Sequence, residues 1–320
     1  MVRSGVKPRA HEPLQRYSTW LHDRYGAKTY RVSVDAGFTC PVRDAGSPCA
    51  YCDAAGSRAP YLGDEASIGE QISRGVAFLS ARYHAKKFLL YFQAFSNTHA
   101  PVEELRRVYD YALAQSEFAG LIVATRPDCI DEARAKLLGE YVDRGLDVWV
   151  ELGLQSANDA TLRRIGRGHT RAQFDEAVRI LSEHGVNVAA HLILGLPGEG
   201  IDDAIASTRH ISSLPIAGVK FHNLVVVAGT PLYREYRRGE IAPPTSDEYR
   251  ELLVAALEYL RPDIIVMRIT CDPPKGVEYA PKERPDKVRL FEAIVGEFRK
   301  RGTHQGIYWR QDADQRRRDL

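Results

Sequence analysis

The 320 residues are 44% apolar and 27% charged, with 44 Lys+Arg against 42 Asp+Glu and a formal net charge of +2. These values lie near globular averages, which excludes wholesale disorder, a collagen-like repeat and a coiled coil, and the charge is too small to announce a general nucleic-acid or membrane-surface binder. On a prior of about 150 residues per domain, the length allows two domains or one large α/β unit.

Met1 to Pro13 carries charges, two prolines and no apolar run, so it reads as neither a secretory signal nor a membrane anchor. Nowhere does an apolar run approach the roughly 18 to 20 residues of a bilayer span, and a cytoplasmic location is expected. Five cysteines are too few for a disulfide framework in a chain this large, which leaves metal ligation or catalysis as the better reading in a reducing compartment.

From Thr29 onward, short β-rich apolar runs alternate with longer segments of helical period, the pattern of βα units on a parallel sheet. Strands are predicted at Tyr30–Val34, Phe88–Gln93, Leu121–Thr125, Val148–Gly153, Val188–Leu194 and Val219–Val227, with a possible further one at Ile264–Ile269. Helices are predicted near Ser67–Arg82, Val102–Ser116, Ile130–Arg144, Ala172–His184, Ile201–Ser213 and Ser246–Leu260. Six such units close only part of an eight-unit ring. The expected fold class is therefore α/β, a partial (β/α)6 TIM-like barrel over residues 28–270, with an N-terminal extension at 1–27 and a C-terminal cap at 271–320. Chemistry in such folds gathers at the carboxyl ends of the strands.

The loop after the first strand carries Cys40, Cys49 and Cys52 in a C-x8-C-x2-C array. Thiolates suit zinc or iron–sulfur clusters, and a pair two residues apart can reach one centre from a single turn. A structural zinc site wants four protein ligands, whereas a four-iron cluster on three cysteines keeps one iron open. On spacing alone, zinc or no metal stands level with an iron–sulfur cluster, His84, His99 or Cys129 completing the zinc set.

The surroundings of the array shift that balance. Tyr51 precedes the last cysteine, and Tyr91-Phe92-Gln93-Ala94-Phe95-Ser96-Asn97-Thr98, Thr125-Arg126-Pro127-Asp128-Cys129 and Val150-Glu151-Leu152-Gly153-Leu154-Gln155-Ser156 follow in order. Arg167-Gly168-His169 and His191-Leu192-Ile193-Leu194-Gly195-Leu196-Pro197-Gly198-Glu199 complete the series. Through these motifs the chain resembles the radical SAM superfamily, and more closely a stand-alone bacterial group related to the radical SAM domain of the elongator catalytic subunit. Two features depart from the commonest pattern: the first two cysteines are separated by more than three residues, and Gln93 to Asn97 replace the usual glycine-glycine-glutamate stretch.

The resemblance implies a [4Fe–4S] cluster on Cys40, Cys49 and Cys52, with S-adenosyl-L-methionine (SAM) on its open iron and an external one-electron reductant. Reductive cleavage of SAM would then yield a 5′-deoxyadenosyl radical, chemistry that the cofactor must bring. It further implies that Tyr51, Gln93, Asn97, Arg126, Glu151, Gln155, Arg167 and His191 line the SAM site. Each has a plainer alternative: Gln155 a bonded core amide, Glu151 half of an ion pair with Arg126, Arg167 a solvated loop residue, His191 a satisfied core histidine. Cys129 and Cys271 are unassigned thiols, and Cys271 is a speculative hydrogen donor.

The relatives suggest tRNA as partner, with a wobble-uridine side chain, a carboxymethylaminomethyl group among the candidates, as substrate. Basic residues near aromatics, at Arg82-Tyr83, Lys86-Lys87, Tyr233-Arg234, Tyr236-Arg237-Arg238 and Tyr308-Trp309-Arg310 before Arg316-Arg317-Arg318, are the RNA-contact candidates. Two rival readings stand beside this one: a non-catalytic iron–sulfur or zinc RNA-binding protein, and a radical SAM enzyme acting on a small metabolite.

Overall fold

The computed structural model describes residues 12–53, 56, 67–273, 276–283 and 286–309. In chain order its elements are α1 (Tyr17–Tyr25), β1 (Thr29–Val34), α2 (Pro41–Asp44), α3 (Ile68–Tyr83), β2 (Lys87–Phe92), α4 (Val102–Leu113), β3 (Gly120–Thr125), α5 (Glu132–Asp143) and β4 (Asp147–Gln155). There follow α6 (Asp159–Arg164), α7 (Arg171–Glu183), β5 (Asn187–Leu194), α8 (Ile201–Ser212), β6 (Gly218–Asn223), β7 (Val226–Val227), α9 (Pro231–Arg237), α10 (Ser246–Tyr259), β8 (Ile265–Arg268), β9 (Tyr279–Ala280) and α11 (Lys287–Arg301).

Seven of these strands form one sheet in the order β1-β2-β3-β4-β5-β6-β8, every neighbouring pair parallel. Strands taken in sequence order with helical returns curl the sheet into the expected partial barrel. Side chains alternate across it. Leu90, Val123, Val150, Val188, Leu192 and Phe221 face outward into the main core with Leu105, Phe174, Leu181 and Leu257 from the helices. Leu89, Tyr91, Ile122, Ala124, Trp149, Ala189 and Ile265 face inward, where they form a second cluster.

That second cluster also contains Trp20 and Leu21 of α1. Trp20 stacks on Tyr17 with ring centroids 5.8 Å apart, and meets Trp149 edge-on at 5.3 Å. An aromatic floor thus lies inside the sheet beside Trp149, near the amino end of β4. Helix α1 is not among the predicted elements because only Trp20 and Leu21 of its nine residues are buried, too few to set a helical period.

The predicted strand Val219–Val227 needs correction. The main-sheet strand stops at Asn223, opposite Leu194 of β5, and Val226–Val227 pairs antiparallel with β9 in a separate ribbon. One apolar run serves two sheets, because burial on both sides of the break keeps the residues apolar while the pairing changes. Helix α11 contributes Leu290, Ile294 and Phe298 to the main core. Among the described residues no helix is long and apolar enough to cross a membrane.

Candidate functional site: the cysteine loop and the barrel interior

Cys40 ends the extended segment after β1 and stands at the N-cap of α2, whose first residue, Pro41, suits a helix start. A turn closed by Cys52 N–H donating to the Cys49 carbonyl (3.0 Å) brings the last two cysteines together. Ala50 between them is tied to both neighbours: its N–H donates to the Ile165 carbonyl (2.8 Å), and its carbonyl accepts from Leu232 N–H (3.1 Å). The loop is therefore anchored over the carboxyl end of the sheet.

Each sulfur has its own polar neighbour. Cys40 Sγ lies 3.3 Å from Ser96 Oγ, and Cys52 Sγ accepts from Arg43 Nη2 at 3.2 Å. Cys49 Sγ faces Arg167 Nη1 at 3.5 Å and Arg126 Nη1 at 3.7 Å. Burial pushes the Cys49 thiol up, but Arg167, then Arg126 and Tyr51, outweigh it and bring it below its ordinary value. At Cys52 burial prevails over Arg43 and the thiol is raised.

Among the described residues no three or more His, Cys, Asp or Glu side chains converge so as to hold a single metal ion. Of the candidates for completing a zinc set, His84 fails on topology and His99 is engaged elsewhere. His84 caps α3 just before the amino end of β2, the opposite end of the sheet from the cysteines, and His99 faces Asp44 at 2.9 Å. A four-iron cluster binds each thiolate to a different iron, so three separate sulfurs on one loop, one flanked by two guanidiniums, suit its chemistry.

Arg126 makes a bidentate pair with Asp128, 2.9 Å on both arms, and donates to the Arg167 carbonyl at 2.6 Å. Arg167 is buried and donates Nη2 to the Gly153 carbonyl at 2.8 Å, while its Nε has no partner. Gln155 ends β4 with φ +75°, next to a register shift against β5. A Cβ at Gly153 would lie 2.4 Å from Arg167 Nη2 and 2.7 Å from Gln155 Nε2. Only glycine lets these two side chains meet over the strand end.

Asn97 is fully buried, its Nδ2 directed at the carbonyls of Phe92, Ala94 and Ala124 at 2.9 to 3.2 Å, which fastens the β2–α4 loop to β3. Its Oδ1 is left without a partner. Gln93 is half-buried directly after β2, and its N–H donates to the Val34 carbonyl at 3.3 Å. Cys129 is buried, and its thiol is pushed up to about 12 by that burial. Cys271 lies over the end of β6, its N–H donating to Asn223 Oδ1 at 3.0 Å.

Glu151 sits two residues below Gly153 on the inward face, and the partner named for it was wrong. Arg126 is engaged with Asp128, and the carboxylate of Glu151 instead takes Arg31 Nη1 (2.8 Å), the Tyr91 hydroxyl (2.5 Å) and Lys220 Nζ. His191 Nε2 lies 3.2 Å from the same carboxylate without hydrogen-bond alignment, its ring 5.4 Å from that of His222. Burial pushes the Glu151 carboxyl up, yet Lys220 and Arg31 hold it well below the usual range. The same burial draws His191 down to about 4. Arg31, Lys220 and His222 were missed as site residues. Their signal was a cation or histidine within a mostly buried strand, which a buried carboxylate on another strand of the same sheet requires.

The RNA-contact candidates divide. Arg82, Tyr83, Lys86 and Lys87 lie at the amino end of β2, whereas α9, with Tyr233 to Arg237, is attached to the cysteine loop through Leu232 and Ala50. The two groups occupy opposite ends of the sheet, and Arg237 and Arg238 face Glu278 and Glu240. Arg310 and Arg316 to Arg318 lie outside the described residues.

A partial barrel with three cysteines over the carboxyl end of its first strand defines a class of α/β proteins with a thiolate loop at the functional end of the sheet. The superfamily model for radical SAM proteins matches residues 37–211, and that for the radical SAM C-terminal domain matches 216–300. The chain belongs to the radical SAM superfamily. It is 35% identical to the Bacillus subtilis protein YtqA over 305 residues, covering 92% of this chain and 93% of that one. It is also 29% identical to a tRNA uridine(34) acetyltransferase of Methanocaldococcus infernus over 179 residues, 55% of this chain and 32% of the relative. The archaeal Elp3 of the same organism, solved with an N-terminal deletion, superposes with a TM-score of 0.66 at 20% identity, covering 89% of this chain and 68% of that one, and supports the fold.

Proposed function

We propose that this protein is a radical SAM enzyme that modifies the side chain of a wobble uridine in tRNA. The observation that carries the radical chemistry is the anchored loop of Cys40, Cys49 and Cys52, with Arg126 and Arg167 both turned toward Cys49. When bound, the cluster supplies the electron that cleaves SAM to the radical that removes a substrate hydrogen. The three thiolates would hold it, and Arg126 and Arg167 would stabilise the charge on Cys49. Tyr51, Gln93, the free oxygen of Asn97, Gln155 and Arg167 surround the strand ends where SAM would lie. Beneath the charged layer around Glu151, the apolar residues of the inner face, with Trp20 and Trp149, exclude water from below. The tRNA step is supported by the tRNA uridine(34) acetyltransferase that aligns with 55% of this chain at 29% identity.

Anaerobic reconstitution tests the chemistry: about four irons per chain and release of 5′-deoxyadenosine from SAM under reduction are expected, whereas tightly held zinc without nucleoside product supports a binding protein. Mass spectrometry of tRNA nucleosides from a deletion strain tests the substrate. An unchanged profile removes tRNA and leaves the small-metabolite reading.

A further inference from the structure

Eight residues separate Cys40 from Cys49, and three consecutive ones on α2 each reach a different part of the site. Val42 packs against the Arg167-Gly168-His169 turn, where a Cβ on Gly168 would lie 2.7 Å from Val42 Cγ1. Asp44 faces His99 of the β2–α4 loop at 2.9 Å. Arg43, between them, turns back over the last cysteine. Its Nη2 donates to Cys52 Sγ at 3.2 Å and also to the Asp53 carbonyl.

The guanidinium has a seat of its own. It lies over the Phe95 ring, 5.0 Å from the centroid, in a cation–π contact. Phe95 is held at φ +61°, a backbone region that a side chain of this size rarely adopts. Its N–H donates to the Gly56 carbonyl at 3.3 Å, and a Cβ on Gly56 would collide with the ring, so glycine is needed there. Gly56 N–H in turn donates to Asp53 Oδ1 at 3.0 Å. The chain leaving Cys52 is thus folded against the ring that carries Arg43. Strained backbone of this kind persists where its surroundings over-determine it, and it collects at functional sites. The other two sulfurs are served differently. Cys40 has the neutral hydroxyl of Ser96, and Cys49 has Arg167 and Arg126 from the barrel. Arg43 adds a cation from the cysteine loop itself, with Asp53 as an opposing charge at Cys52.

We propose that the residues between Cys40 and Cys49 form a clamp in which Arg43 is the positioning residue for Cys52 and raises the reduction potential of a cluster held by the three thiolates. One-electron reduction, with the electron drawn from an external reductant, adds a negative charge to the cluster. A guanidinium at one of its sulfurs favours that state, since hydrogen bonds to the sulfurs and nearby charge set such potentials. The inference deepens the reading above: it rests on the three cysteines carrying a four-iron cluster and assigns control of its potential to a residue of the loop.

The test is a redox titration of the anaerobically reconstituted protein without SAM, followed by electron paramagnetic resonance, with iron content measured after desalting. Arg43→Gln should lower the midpoint by about 60 mV or more, a tenfold change in a one-electron equilibrium, and should retain less iron than the wild type. Arg43→Met, which fills the space over Phe95 without charge, repeats the measurement should the Gln variant hold too little cluster. Arg43→Lys keeps the charge but lacks the fork; it should recover most of the shift and only part of the iron. His99→Gln frees α2 at Asp44 without touching the charge at Cys52, and its midpoint should stay at the wild-type value. A wild-type midpoint in either neutral variant, or a shift in His99→Gln as large as that in Arg43→Gln, overturns the proposal. So does loss of the cluster from both neutral variants and from Arg43→Lys alike, which would make Arg43 a structural residue only. A wild type that takes up no iron refutes the cluster reading and the clamp together, whereas a wild-type cluster with unmoved variants refutes the clamp alone. The assay needs no turnover. A midpoint that follows Arg43 in a protein that releases no 5′-deoxyadenosine keeps the clamp and refutes the radical chemistry.

Discussion

Arg167 donates to Cys49 Sγ across 3.5 Å with one arm of its guanidinium while the other arm holds the Gly153 carbonyl at 2.8 Å. One side chain thus couples the cysteine loop to the strand end beneath it. A cation at this place favours the thiolate that a metal requires.

Replacing Arg167 by Gln keeps a donor but removes the charge. Iron retained after reconstitution and desalting should fall below about half of the wild-type content, since ligand deprotonation is coupled to binding. Arg167→Lys should recover part of it. Iron content by colorimetric assay decides, and full retention in the Gln variant would show that the pairing with Cys49 does nothing for the cluster.

Gly153→Ala places a Cβ against the ends of Arg167 and Gln155. Both are flexible, so the fold should survive with a cost of about 1 to 3 kcal/mol, the range for overpacking. SAM affinity should drop at least about tenfold because both displaced side chains leave the strand end. Calorimetric titration of SAM into the variant checks this; unchanged affinity would remove Arg167 and Gln155 from the SAM site.

The Glu151 layer predicts an asymmetric mutational cycle. Glu151→Gln leaves Lys220 and Arg31 facing each other without a counter-charge and should cost about 3 to 5 kcal/mol, as broken buried pairs do. Lys220→Met should cost less, because Arg31 still neutralises the carboxylate. The double variant should be more stable than Glu151→Gln alone. Urea denaturation of the cluster-free protein measures all three, and equal costs for the two single changes would contradict the network.

Acid should destabilise the protein before its carboxylates titrate. Burial, reinforced by Arg167, draws His169 down to about 4, and burial does the same to His191. Between pH 6.5 and about 4 the unfolded chain accepts protons that these rings refuse in the folded state. Stability is therefore full above about pH 6.5 and declines below it, by up to about 1.4 kcal/mol per pH unit for each ring. Denaturation midpoints at pH 7.5, 6 and 5 will show the decline, and His169→Gln should make it shallower; a flat profile would mean that these rings are protonated in place.

Much of this arrangement was written in local pattern. Alternating apolar runs and amphipathic segments announced the βα units, because burial under a helix layer demands that period wherever the strand lies. The C-x8-C-x2-C spacing announced a thiolate loop, since three cysteines within thirteen residues are chemistry of short range, while the spacing alone left zinc level with an iron–sulfur cluster. What local pattern could not announce is which distant residues share an interior. Lys220 is 69 positions from Glu151 and Arg31 is 120, and the partner suggested by strand-end position, Arg126, was taken by Asp128 two residues away. Val219 to Val227 read as one strand because apolarity records burial and not which neighbour supplies the hydrogen bonds. Helix α1 was silent because its partners are residues of β1, β4 and β8, strands at the two edges and the middle of the sheet that face one helix only once the sheet has curled. Element type and ligand identity are properties of a window of residues, whereas ion pairing, register and closure depend on the curl of the sheet, and only the tertiary structure decided them.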